Sequence, residues 1–142
     1  MNPVPGDQEV ARLVASGRPC VSANEPFSGI CTVVTANVDG AREAVEYLIS
    51  LGHRSIAYVS GPQDVTAPAS MERERGYREC LVANGVEPDA GLTEVAEFWH
   101  APAGYEAAKK LIARRRDFTA VFAFNDTLAY GTKLALEESG LS

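Results

Sequence analysis

Hydrophobic residues recur at helical spacing in residues 40–51, 71–84, 104–115 and 127–139. Among them stand short runs rich in apolar, β-branched and aromatic residues, at 55–60, 94–99 and 120–125. Each run leads into a helix, and strands alternating with helices predict an α/β fold, an open parallel sheet with helices on both faces. In the first helix Ala41, Ala44, Val45, Leu48 and Leu51 make one apolar stripe, and Gly52 supplies a left-handed stop. The second is expected to open on Ser70 as N-cap, to set Tyr77, Cys80, Leu81 and Asn84 on one side, and to close at Gly85. The third carries Tyr105, Ala108, Leu111 and Ile112 inward.

Before residue 40 the pattern changes. Residues 7–16 read as a short helix ending at Gly17, and residues 18–23 and 32–36 as two short strands joined by a turn around Pro26, Ser28 and Gly29. A helix and two strands are too little for an independent domain.

Composition narrows the function classes. The chain has 142 residues, 46% hydrophobic and 23% charged, which is ordinary for a globular domain. A net charge of -6 opposes direct DNA binding, which needs clustered Lys and Arg. The basic run Arg114, Arg115, Arg116 reads as a helix C-terminus complementing its dipole. Three scattered cysteines, Cys20, Cys31 and Cys80, read as small buried hydrophobes in a reducing cytoplasm. The N-terminus shows neither a basic n-region nor an apolar h-region, and no apolar run is long enough to span a membrane. There is no metal-ligand spacing, dinucleotide fingerprint, phosphate loop or nucleophile motif, and so no metal, cofactor or catalytic residue is expected.

Ligands of open parallel sheets bind beyond the carboxyl ends of the strands. Arg73 is expected in the first turn of the second helix, where a cation opposes the dipole; it is either a ligand-binding fork or a surface Arg paired with Glu72 or Glu74. Trp99, closing a strand, is either a flat face at the pocket mouth or a core residue. Asn125 can donate and accept towards a hydroxyl or simply form a turn, while Asp126 is the natural N-cap of the last helix. His53 and His100 read as structural or solvated.

The ordered strings LGHRSIAYVSGP (51–62), RERGY (73–77), GYEAAKKLIARR (104–115) and FNDTLAYG (124–131), with DGAREAV and LEESGL, resemble the effector domain of the LacI/GalR family of transcriptional regulators. The likeness runs from about Arg18 to the end of the chain. It implies a periplasmic-binding-protein-like sensor, not an enzyme. Residues 1–36 would be a remnant of the N-terminal lobe, and 37–142 the C-terminal lobe lacking its last strand or strands. The family's helix-turn-helix, through which operator DNA is bound as a dimer, is absent from this chain. In the family an Arg of the RxxGY motif holds effector oxygens, an aromatic after the second strand stacks on the ligand, and the Asn of an ND pair hydrogen-bonds it. The corresponding positions are Arg73, Trp99 and Asn125, with Leu128 and Tyr130 matching a subunit interface. The implied partners are a sugar-like effector and a second copy, in the cytoplasm and without a membrane. The family's DN pair appears as Ala36-Asn37, so contacts from that loop are not carried over. The alternative with the same fold is a sugar-binding receptor of a transporter. A flavodoxin-like enzyme is a more distant rival.

Overall fold

A computed structural model describes residues 7–24, 27–63 and 68–141. Its contacts cluster into two units, one ending at Ala36 and one beginning at Asn37.

In the first unit, helix α1 (Asp7–Ala15) is followed by strands β1 (Val21–Ala23) and β2 (Cys31–Val33). Gly17, with φ of 65°, turns the chain out of α1 in a conformation that glycine adopts without a Cβ clash. Both strands are shorter than the sequence suggests. They pair in parallel, Val21 opposite Cys31, so the connection is not that of a hairpin. Part of the expected turn, Pro26, lies outside the described residues.

The second unit contains α2 (Asn37–Ser50), β3 (Ile56–Ser60), α3 (Pro68–Ala83), β4 (Thr93–Val95), α4 (Ala101–Arg114), β5 (Ala120–Ala123) and α5 (Asp126–Glu138). Its sheet has the order β4-β3-β5, and both pairings are parallel. All five residues of β3 are buried, as befits a central strand covered on both faces. The chain steps from β3 to β4 on one side, then crosses back to β5 on the other. Right-handed crossovers then place α3 and α4 on opposite faces. The helices pack as the pairs α2 with α3 and α4 with α5. This is the open parallel α/β sheet that the pattern predicts.

Helix boundaries differ where local chemistry outweighs periodicity. In α2 the buried stripe is Ala41, Val45 and Ile49; Ala44 is exposed, and Leu51 lies past the helix end with 59% of its surface in water. Helix α3 opens on Pro68, whose fixed φ suits a first helical position, so Ser70 lies inside the helix and is not its cap. Asn84 is exposed and donates to the Cys80 carbonyl at 2.9 Å. Strand β4 ends at Val95 because the chain leaves the sheet for an earlier helix start. His100 caps α4, its Nδ1 accepting from the Ala103 amide at 3.3 Å, with Pro102 in the first turn.

Glycines set the helix spacing. A Cβ on Gly104 would stand 2.8 Å from the Leu128 Cα, and one on Gly131 would stand 2.7 Å from the Tyr105 amide, so α4 and α5 approach backbone to backbone. A Cβ on Gly76 would come within 3.0 Å of the Ala41 Cβ, drawing α3 equally close to α2. Tyr58, Tyr77 and Phe122 form a triangle of mutually stacked rings, with centroids 5.1 Å (Tyr58–Tyr77), 5.2 Å (Tyr58–Phe122) and 6.3 Å (Tyr77–Phe122) apart. The Tyr77 hydroxyl donates to the Ile56 carbonyl at 2.8 Å. The buried hydroxyls of Tyr58 and Ser70 have no partner among the described residues.

The basic run is a clasp as well as a helix end. Arg114 donates to Glu94 at 2.9 Å and to the Gly91 and Thr93 carbonyls at 3.1 Å, while Arg115 pairs with Asp89 and Asp117. Of the cysteines only Cys80 is buried; Cys20 is half-buried and Cys31 exposed, because β1 and β2 offer little cover.

Gly131→Ala should destabilise the unit by roughly 1–3 kcal/mol or more, read as a lower urea midpoint, since the backbone of α4 cannot yield as a side chain could. Burial pushes the hydroxyls of Tyr58 and Tyr77 up to about 12, from 10.0 in an unperturbed side chain. Both stay protonated in the fold after the unfolded chain begins to ionise. Their stabilisation is therefore complete below pH 10 and lost as pH rises towards 12. Urea midpoints measured across that range should fall, and Tyr58→Phe should make the fall shallower; an equal slope would contradict the assignment.

Candidate functional site

The sheet order fixes where a ligand can enter. The connections from β3 and β5 lead into α3 and α5, which belong to the two different helix pairs, and a crevice opens beyond the carboxyl ends where they part. Gly61 follows β3 there and Phe124 follows β5. The Phe124 amide donates to the Val59 carbonyl at 2.9 Å, extending the ladder by one residue and fixing that ring at the rim.

Phe124 is the hub on which the expected residues meet. The Arg73 guanidinium carbon lies 4.4 Å from the centre of its ring, and the Arg73 Nη1 donates to its carbonyl. The Trp99 ring lies 4.8 Å from it, centroid to centroid, at a tilt of 48°. Asn125 is the next residue along the chain. Sequence reasoning nominated Arg73, Trp99 and Asn125 but not the buried phenylalanine that joins them. A phenylalanine directly before Asn125 at a strand end was the available signal.

Each side chain is placed differently from the expectation. Because α3 starts at Pro68, Arg73 lies in its second turn, where the dipole argument has little force. It pairs with neither Glu72 nor Glu74: Glu74 holds Arg78 at 3.1 Å and Gln63 at 2.8 Å, while Glu72 accepts from Asn37 at 2.8 Å. Arg73 Nε donates to the Asn37 Oδ1 at 2.9 Å instead. Among the described residues no carboxylate forms an ion pair with it. Residues 64–67 of the β3–α3 connection lie outside the described residues.

Trp99 does not close a strand. It stands in the bend between β4 and α4 with 39% of its surface exposed, and one face packs on Gly61, where a Cβ would come within 2.8 Å of its Cε3. Asn125, not Asp126, is the N-cap of α5. Its Oδ1 accepts from the Leu128 amide at 2.8 Å, while Asp126 is the first helical residue and exposed. The cap occupies only the carbonyl end of the Asn125 amide, and its NH2 remains a separate donor.

Leu128 departs furthest from its expected role. It is 0% exposed and packs against Gly104 within its own unit, so its side chain offers no surface to a second subunit. Tyr130, by contrast, is 60% exposed on α5. A groove of about 550 Å³ along β5 and α5, lined by Phe118, Ala120, Val121, Thr132 and Leu136, involves none of these site residues. Its lining is mostly apolar, with Thr119, Thr132, Lys133 and Glu137 as the polar members.

The arrangement suits an oxygen-rich molecule. Arg73 has five N–H donors, of which Asn37 and the Phe124 carbonyl take two, and Trp99 offers a flat apolar face of the kind that covers C–H surfaces. Among the described residues no group of three His, Cys, Asp or Glu side chains could hold a metal ion.

Comparison with known proteins places this geometry. The family model of the periplasmic binding protein-like domain matches residues 45–142. The HTH-type transcriptional regulator CelR of Thermobifida fusca is 37% identical over 134 residues, which cover 94% of this chain and 38% of that protein. The lactose operon repressor of Escherichia coli is 30% identical over 79% of this chain and 30% of its own length. The chain thus spans between 30% and 38% of the length of these regulators. A sugar-binding LacI-family regulator of Escherichia coli, solved with phosphate, superposes with a TM-score of 0.81 at 28% identity, covering 96% of this chain and 49% of that one. The chain belongs to the periplasmic binding protein-like domain family and is homologous to the LacI-family transcriptional regulators.

Proposed function

We propose that this chain is the effector-sensing part of a LacI-type transcriptional regulator, and that it binds a sugar or related small molecule through Arg73, Trp99 and Asn125. The observation that carries the reading is the meeting of Arg73 and Trp99 on Phe124, beside Asn125, at the switch point of the sheet. A structure described as a CelR–cellobiose complex is 36% identical with a TM-score of 0.77, which makes cellobiose the first ligand to try. Residues 37–142 correspond to the C-terminal lobe and residues 1–36 to part of the N-terminal lobe. In this reading a partner lobe and an operator-binding helix-turn-helix belong to the intact regulator.

The regulator works by differential affinity. A ligand that prefers one arrangement of the lobes shifts the population towards it and, through that shift, changes affinity for operator DNA. No chemical step is required, and the relatives are regulators rather than enzymes. Binding to DNA places the protein in the cytoplasm; among the described residues no helix is long and apolar enough to cross a membrane. A homodimer would use the outer side of α5, where Tyr130 and Leu134 are exposed at 60% and 38%, and Leu128 is not part of it. The names of the relatives favour a regulator over a transporter receptor.

Calorimetric titration with cellobiose and a panel of other mono- and disaccharides should identify a ligand. Against that ligand Arg73→Ala should weaken affinity tenfold or more, about 1.4 kcal/mol. Unchanged affinity would remove Arg73 from the site.

A further inference from the structure

The Arg73 side chain is held by a residue of another helix. Asn37, the first residue of α2, accepts from Arg73 Nε through Oδ1 at 2.9 Å and donates through Nδ2 to Glu72 Oε2 at 2.8 Å. The two ends of this amide are not interchangeable. Rotated by half a turn, it would point its NH2 at the Nε–H of Arg73 and its oxygen at the Glu72 carboxylate, replacing two attractions by two repulsions. Glu72 therefore fixes the amide, and the amide fixes the guanidinium. On the far side, the Phe124 carbonyl and ring hold the guanidinium from its Nη1 edge and its flat face.

We propose that Asn37 is a positioning residue for the ligand-binding guanidinium, with Glu72 as its anchor. The inference rests on the reading that Arg73 binds the ligand. Arginine has many rotamers, and a ligand that must select one of them loses affinity to the ordering; a side chain already held in its bound direction avoids that loss. Glu72 neighbours Arg73 on α3 yet acts on it through a residue of another helix, so the effect depends on the registry of α2 against α3. Gly76 keeps that registry tight, since a Cβ there would meet the Ala41 Cβ at 3.0 Å.

The test follows hydrogen exchange of the Arg73 Nε–H by NMR in the protein without ligand, its signal assigned by its disappearance in Arg73→Lys. In Asn37→Leu that exchange should accelerate at least tenfold, and affinity for the sugar identified by titration should fall at least tenfold. In Asn37→Asp the acceptor for Arg73 is kept and both carboxyl oxygens can accept, so exchange should stay within threefold of the parent. Glu72→Ala frees the Asn37 amide to rotate and should accelerate exchange, whereas Asn37→Asp/Glu72→Ala, whose carboxylate has no wrong end, should return exchange to within threefold of the parent. Unchanged exchange in Asn37→Leu would overturn the proposal. Failure of the double variant to recover would also overturn it, in favour of a simple bridge between helices. If Arg73→Ala leaves sugar affinity unchanged, the ligand-binding reading fails while the exchange data still decide what Asn37 does.

Discussion

Five consecutive residues, Ile56 to Ser60, are shut away from water, so the strand they form needs cover on each face and a hydrogen-bonded neighbour at each edge. The rest of the unit meets those demands. β4 and β5 satisfy the backbone on either side, and the opposite directions of the two crossovers supply helices to both faces. The same reversal opens the crevice at the carboxyl ends. Covering the central strand and opening the crevice of the proposed site are thus one topological event, and the candidate polar residues gather there.

The fold was legible because its main signals are local. Alternation of helical and strand periods, glycines after the helices and the apolar run of β3 can all be read within a dozen residues. The errors fall where a boundary depends on a competing local interaction. His100 starts α4 early and pulls Trp99 out of the sheet, and Asn125 takes the cap that Asp126 was expected to provide. Leu51 fits a helical stripe on paper but lies beyond the turn that ends α2, leaving Ile49 to fill the core.

The candidate site was half legible. Arg73, Trp99 and Asn125 could be nominated because each lies near a strand end, and the resemblance to a family selects the same positions. Asn37 could not be found that way, and Phe124, although at a strand end, carries no polar group to single it out. Phe124 matters through what packs on it from α3 and from the β4–α4 bend. Asn37 matters through partners 35 and 36 residues away. The inward direction of the Leu128 side chain was hidden for a related reason: only the packed structure shows it fully buried.

The seat of Trp99 on Gly61 has a practical consequence. The chain has a single tryptophan, and that residue lies against the platform on which the guanidinium also rests. Its fluorescence therefore arises from one wall of the crevice and from nowhere else in the chain. The indole is half in water and half on Phe124 and a bare backbone, so a molecule entering the proposed crevice would change the polarity around it. The molecule thus carries an intrinsic optical probe beside the proposed site.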